Sequence, residues 1–217
     1  MKYARPQLSN NPITFLLVFV FSCNFDGIGA LQPLLLSYAL QTNYETCAPE
    51  QIISNSASIM DSKNDVRVGG FSQVVSAPGW ADITEVIFEE TSEYLNIRIS
   101  LDSLEDTLLI APGEGRPSVF IGSRIHTSNE SVLVGILNFG ESTMIRRNWN
   151  DVTVQVILNE TVIGSCGVPW RIGNTLEFKC DPKLWNGWAL GDFTGVTGET
   201  MYKYAGAEYR DCAGGLP

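Results

Sequence analysis

Trp80–Leu101, WADITEVIFEETSEYLNIRISL, decides the fold. Leu95, Ile97, Ile99 and Leu101 alternate with Tyr94, Asn96, Arg98 and Ser100. A period of two marks a strand with one buried face, because successive Cβ atoms point to opposite sides. The preceding run, Ile83–Glu90, is rich in β-branched and aromatic residues and leads into the polar turn Glu90-Thr91-Ser92-Glu93. Together they read as a hairpin that seeds an antiparallel sheet. In the first arm strict alternation fails: Ala81, Ile83 and Ile87 are odd-numbered, whereas Trp80, Val86 and Phe88 are even. A slip of one residue turns every later side chain to the other face, so a β-bulge is expected near Thr84-Glu85.

Outward from this hairpin the pattern repeats. After residue 40 the chain has no long run suited to a helix. It has short β-rich segments broken by Gly, Pro, Asn and Asp. Strands are expected at 66–75, 104–111, 118–126, 132–139, 152–158, 161–168, 175–180, 188–193 and 200–204, with a short helical turn at 181–185. Near-regular spacing of short strands is the signature of an all-β, antiparallel β-sandwich, immunoglobulin-like or jelly-roll-like in its layering. At 217 residues one such domain plus a leader is the natural division.

The leader is residues 1–30. A polar, mildly basic start (Lys2, Arg5) precedes the apolar run ITFLLVFVF at 13–21. That run is too short to span a bilayer and fits the core of a secretory signal. Val20-Phe21-Ser22-Cys23 resembles a lipoprotein box, which would place a lipid anchor at Cys23. Residues 31–58 read as a linker, and 59–217 as the β-sandwich domain.

A net charge of −10, with no basic stripe, disfavours nucleic acid as a partner. Apart from Cys23 there are four cysteines, Cys47, Cys166, Cys180 and Cys212, which allow three pairings. Cys166 and Cys180 flank Gly173-Asn174 almost symmetrically, so a hairpin turning there would set them opposite each other. Cys47 would then join Cys212 and tie the ends of the domain. Disulfides place the chain in an oxidising, extracytoplasmic compartment, secreted or at the cell surface.

Asp61-Ser62-Lys63-Asn64-Asp65-Val66 looks like an acidic opening DxxxD-V, and Ala81-Asp82-Ile83-Thr84-Glu85-Val86 like an aDIxxV strand. Tyr94–Ile99 resembles the strand that follows. Asn174-Thr175-Leu176-Glu177-Phe178 resembles a late NTxxF strand, and Asp211 sits where a closing acidic residue is usual. In these features the region 61–217 resembles secreted bacterial and archaeal β-sandwich domains related to DOMON domains and family-nine-like carbohydrate-binding modules. The middle of the chain, 104–150, departs from that pattern. The resemblance implies a fold and a location; members of such groups bind sugars, haem or other proteins. Asp61, Asp65 and Asp82 are the candidate ligands of a calcium site of the kind such sandwiches sometimes carry, since hard cations take several oxygen ligands. No other cofactor is expected: haem would need His126 to converge with Met144 or Met201.

Three functional readings follow. The first is a non-catalytic binding module for carbohydrate. It rests on Trp149, Trp185 and Trp188, indoles set among amides and charges in NWND and KLWNGW. A flat apolar ring beside hydrogen-bonding groups suits a sugar's apolar face and hydroxyl rim. Trp170, between Pro169 and Arg171, reads instead as a core filler. The second is a structural or protein-interaction domain of the cell envelope, so the partners are a glycan or an envelope protein, with the membrane reached only through the lipid anchor. The third is a hydrolase. It would need His126, the single histidine, beside a nucleophile such as Ser123 or Ser128, or a pair of carboxylates across a cleft.

Overall fold

The computed structural model describes residues 47–68, 78–113, 117–159, 161–184, 189–204 and 207–214. Its strands are β1 (Glu50–Gln51), β2 (Ser56–Met60), β3 (Arg67–Val68), β4 (Ile83–Glu90), β5 (Leu95–Leu101), β6 (Thr107–Ile110), β7 (Pro117–His126), β8 (Ser131–Phe139), β9 (Ile145–Asn148), β10 (Val154–Leu158), β11 (Thr161–Gly167), β12 (Trp170–Ile172), β13 (Thr175–Cys180), β14 (Gly195–Tyr204) and β15 (Ala207–Ala213). Single 3-10 turns at Gly79–Ala81, Trp149–Asp151 and Pro182–Leu184 are the only helical pieces among the described residues. The last of these is the short helical turn expected at 181–185.

The strands form two antiparallel sheets. One has the order β11-β10-β8-β7-β14-β15-β3, with β1 continuing the edge of β14 where β15 leaves off. The other is β12-β13-β5-β4-β2, and β6 pairs with β9 as a separate ribbon. Phe88, Ile97, Ile99 and Phe178 from the five-stranded sheet share one buried core with Val119, Ile121, Val134, Val156 and Val196 from the larger sheet. That is sandwich-like layering, and alternation supplies it: each strand turns every second side chain inward. Burying one such Phe, Ile or Val side chain contributes about 1.5–3 kcal/mol.

The opening stretch forms β4 and β5, and the bulge is there. Ile83 lies opposite Leu101 and Glu85 opposite Ser100, so Thr84 is the extra residue. Past it, Val86 and Phe88 share the core with Ile83.

The larger sheet departs from a simple in-and-out pattern. In β7 and β8 both faces are buried. Phe120, Leu133, Leu137, Ile157 and Met201 make a second cluster on the outward face, with Phe139 beside them. Gly122 and Gly135 lie opposite each other in this sheet, and the Phe120 ring lies over both. A Cβ at Gly135 would stand 2.6 Å from the Ile121 carbonyl oxygen and 2.8 Å from Phe120 Cε2. Gly135→Ala should therefore destabilise by about 1–3 kcal/mol, as overpacking does. A chemical denaturation midpoint equal to wild type would contradict this packing.

Other boundaries shift. β1 and most of β2 fall within 31–58, the stretch read as a linker, so the sheets recruit residues from Glu50 onward. The strand expected at 66–75 contributes β3, and 69–77 lie outside the described residues, as do 1–46 with the leader and Cys23. β9, β12 and β15 were not expected. At 189–193 a turn replaces the expected strand: Asp192 Oδ2 accepts from Ala189 N at 2.8 Å, and Gly191 takes φ +92°. The short polar side chain closes the turn locally and the glycine admits a conformation that side chains resist.

Both disulfides form as paired in the sequence, Cys47 with Cys212 and Cys166 with Cys180. The route to the second differs. The turn at Gly173-Asn174 joins β12 to β13, with Ile172 opposite Thr175. Cys166 lies earlier, in β11 at the edge of the other sheet. The bond therefore joins two sheets rather than two arms of one hairpin.

Candidate metal centre

Where the chain crosses from β2 to β3, it passes from the smaller sheet to the larger. Asp61 begins this crossing, its N–H donating to the Thr84 carbonyl at 3.0 Å. Asn64 then adopts a left-handed conformation, φ 64°, which asparagine tolerates better than most residues. The chain reverses, and Asp65 comes back towards Asp61. Asp211 arrives from β15. It lies opposite Thr200 on the inward face, and it is 94% buried, with 6% exposure. One carboxylate oxygen from each of Asp61, Asp65 and Asp211 lies within 4.8 Å of the others.

The hydrogen bonds hold the carboxylates without satisfying them. Asp211 Oδ2 accepts from Ile83 N at 2.6 Å and its Oδ1 from Cys212 N at 2.8 Å. Asp61 Oδ1 accepts from Ser62 N at 2.9 Å. Asp82 Oδ2 accepts from Asn64 N at 2.7 Å. Left over are Asp61 Oδ2, Asp65 Oδ1 and Asp82 Oδ1, all buried and without a hydrogen-bond partner. Buried anionic oxygens without partners are costly, and a divalent cation satisfies several at once. The donor set is oxygen alone, with no imidazole or thiolate, which suits a hard cation such as calcium rather than zinc.

Electrostatics point the same way. Burial, with Asp65 and Asp82 adding repulsion, raises the Asp61 carboxyl to about 6. Burial lifts Asp211 to about 7, against the two backbone N–H groups that favour its charged form. Asp65 and Asp82 are raised too, again chiefly by burial. A cation at the centre would favour the charged form of these carboxylates and so oppose the shifts that burial imposes.

The expected ligand set was Asp61, Asp65 and Asp82. The first two converge, but the third carboxylate of the cluster is Asp211. Asp82 stands beside it, 3% exposed, one oxygen held by Asn64 N. The signal for Asp211 lay in β15, where Tyr209, Asp211 and Ala213 alternate with Glu208, Arg210 and Cys212. A carboxylate on the same side as Ala213 faces the core.

The aromatic positions rearrange. Trp149 is 6% exposed; its 3-10 turn tucks the ring inward and its Nε1 donates to the Glu105 carbonyl at 2.8 Å. It is a core residue with its polar edge satisfied, and it offers no ring to a ligand. Trp185 and Trp188 lie outside the described residues. Trp170, read as core, is 68% exposed. It lies opposite Glu177, on the outward face of the smaller sheet, where proline-arginine flanks gave no clue to its side.

His126 and Ser123 do not form a dyad. Ser123 faces inward and donates to the Thr197 carbonyl at 2.5 Å, whereas His126 has the opposite parity on the same strand. Its Nε2 is buried without a partner, and burial lowers its pKa. The adjacent carboxylates Glu89 and Glu90 likewise point to opposite faces. Glu105 and Asp106 are taken by Arg146 and Arg171.

Comparison with protein-family models, with curated proteins and with solved structures returns no match. Fold and site together define an all-β domain of sandwich-like layering, stapled by two disulfides, with a cluster of three carboxylates able to coordinate a metal ion where one sheet meets the other.

Proposed function

We propose that this chain is a non-catalytic extracytoplasmic binding module whose two sheets are clamped by calcium. The observation that carries the reading is the convergence of Asp61, Asp65 and Asp211 on one point, with buried carboxylate oxygens around it left unpaired. Calcium would join the β2–β3 crossing to β15 and relieve the repulsion among these groups. Two disulfides support a location outside the reducing cytosol, secreted or at the cell surface. The resemblance to DOMON and family-nine-like modules supports the same place, as does the acidic opening at Asp61–Asp65. A lipid anchor at Cys23 belongs to this proposal and lies outside the described residues.

Carbohydrate is the partner this reading favours. Its support has moved from Trp149 to the open indole of Trp170. An envelope-protein partner is favoured by a different observation, the edge strand β11, where Val162 and Ile163 are exposed. Such an edge can accept another strand. The separated His126 and Ser123 support a non-catalytic role.

Equilibrium titration tests the metal assignment. Chelator-stripped protein should bind one calcium ion per chain, and terbium luminescence at the site should be quenched by added calcium. Absence of both signals at millimolar calcium would remove the assignment.

A further inference from the structure

The outward face of the smaller sheet carries a second, independent constellation. Trp170 is exposed at the β12 edge, and Tyr94 is exposed just before β5. The Lys179 ammonium sits between them, 5.9 Å from the Trp170 ring centre and 5.6 Å from that of Tyr94. The ammonium lies within cation–π reach of both rings. Strand register then sets a polar row beside the indole: Trp170 lies opposite Glu177, and Glu177 opposite Arg98.

Charges on this face are already matched. Lys179 pairs with Glu177 at 3.8 Å and Arg98 with Glu89 at 3.2 Å. A carboxylated or sulfated ligand would have to break these pairs, and it would also approach a chain of net charge −10. Hydroxyl groups can join such pairs as donors and acceptors without displacing them. The apolar face of a pyranose ring meets the remaining need, which is to cover an open indole.

We propose that this face is a glycan-binding surface for a neutral, extended polysaccharide, one sugar ring stacked on Trp170 and its neighbours lying across Glu177 and Arg98. The inference rests on the binding-module reading above and gives it a position and a ligand class. It is independent of the metal centre.

Titration calorimetry with xylohexaose, cellohexaose and mannohexaose, and with an oligogalacturonate as the charged control, tests it on the intact disulfide-bonded protein. The expected result is binding of at least one neutral oligosaccharide. Trp170→Ala should weaken it at least about tenfold with an unchanged melting temperature, as loss of one stacked ring implies. Trp170→Tyr, which keeps a flat ring, should restore most of it. Neutral glycan bound equally well by Trp170→Ala would overturn the location while leaving the module reading standing. Binding of the oligogalacturonate alone would overturn the ligand class. No binding to any of them, or a dimer that Trp170→Ala dissociates, would overturn the surface as a glycan site.

Discussion

Saturating calcium is expected to raise the melting temperature of chelator-stripped protein by roughly 5–10 °C. A ligand at a hundredfold excess over its dissociation constant stabilises by about 2.7 kcal/mol, and each kcal/mol moves a chain of this size by about 2–4 °C. Asp65→Asn should abolish the shift, because Asp65 is one of the three converging carboxylates. The same substitution should raise the melting temperature of the metal-free protein. It removes one of several neighbouring negative charges and leaves a side chain that needs no counterion. A merely structural aspartate would show the opposite, a loss without calcium. If Asp65→Asn lowers metal-free stability and retains the calcium shift, the site is wrong.

The pH dependence has a definite sign. The folded protein holds protons on Asp61 and Asp211 up to about 6 and about 7, against an ordinary aspartate value of 3.8. Carboxyls raised in this way stabilise the fold fully below the unfolded value, and that contribution is lost as pH rises through the folded values. Metal-free protein should therefore melt higher at pH 5 than at pH 8. Calcium competes with those protons, so its stabilising effect should be largest at pH 8 and shrink towards pH 5. Melting curves at both pH values, with chelator and with calcium, read both effects at once.

The second large effect belongs to the disulfides. Replacing Cys47 and Cys212 by serine should cost about 4–5 kcal/mol, and replacing Cys166 and Cys180 about 3 kcal/mol. The difference comes from loop length: the pairs are separated by 165 and 14 residues, and a longer loop confines the unfolded chain more. Guanidinium denaturation of each double variant under non-reducing conditions gives the order. A greater loss from the short loop would mean that the bond between the sheets at Cys166–Cys180 matters more than chain confinement. Calcium affinity should fall in the first variant: the backbone N–H of residue 212 that holds Asp211 Oδ1 at 2.8 Å survives the substitution, but the bond that anchors this backbone to Cys47 does not. It should be unchanged in the second.

What the sequence disclosed follows from how local each signal is. The β4–β5 hairpin and its bulge were legible because parity along one strand is written in neighbouring residues: Ile83 on one side of the slip, Val86 and Phe88 on the other. The cysteine pairs were legible from spacing, although the bond from Cys166 to Cys180 was pictured within one hairpin. That picture failed because which sheet β11 joins is decided by β10, not by the turn at Gly173. Of the three carboxylates that cluster, two were legible. Asp61 and Asp65 lie four residues apart, whereas Asp211 reaches them only through the pairing of β15 with β14 and β3. The tryptophans were least legible. NWND looks like an open loop, yet Trp149 finds the Glu105 carbonyl; Pro-Trp-Arg looks like a core plug, yet Trp170 faces outward on β12. A polar neighbourhood in sequence does not say which way an indole turns when its hydrogen-bond partner lies 44 residues away.

β15 has a consequence for how the chain matures. Within Ala207–Ala213 lie the carboxylate of Asp211 and the thiol of Cys212, so one late segment finishes both the acidic cluster and the long disulfide. As the chain emerges from its N-terminal end during synthesis, the β4–β5 hairpin can pair at once, since its contacts are near in sequence. Cys47 must wait for a partner 165 residues later. Until then the early thiol stays reactive, and Asp61 and Asp65 face each other without the third carboxylate. Locking is thus a late event, and a nascent or clipped product lacking this segment would be an unlatched sandwich, open to proteases and to wrong thiol partners.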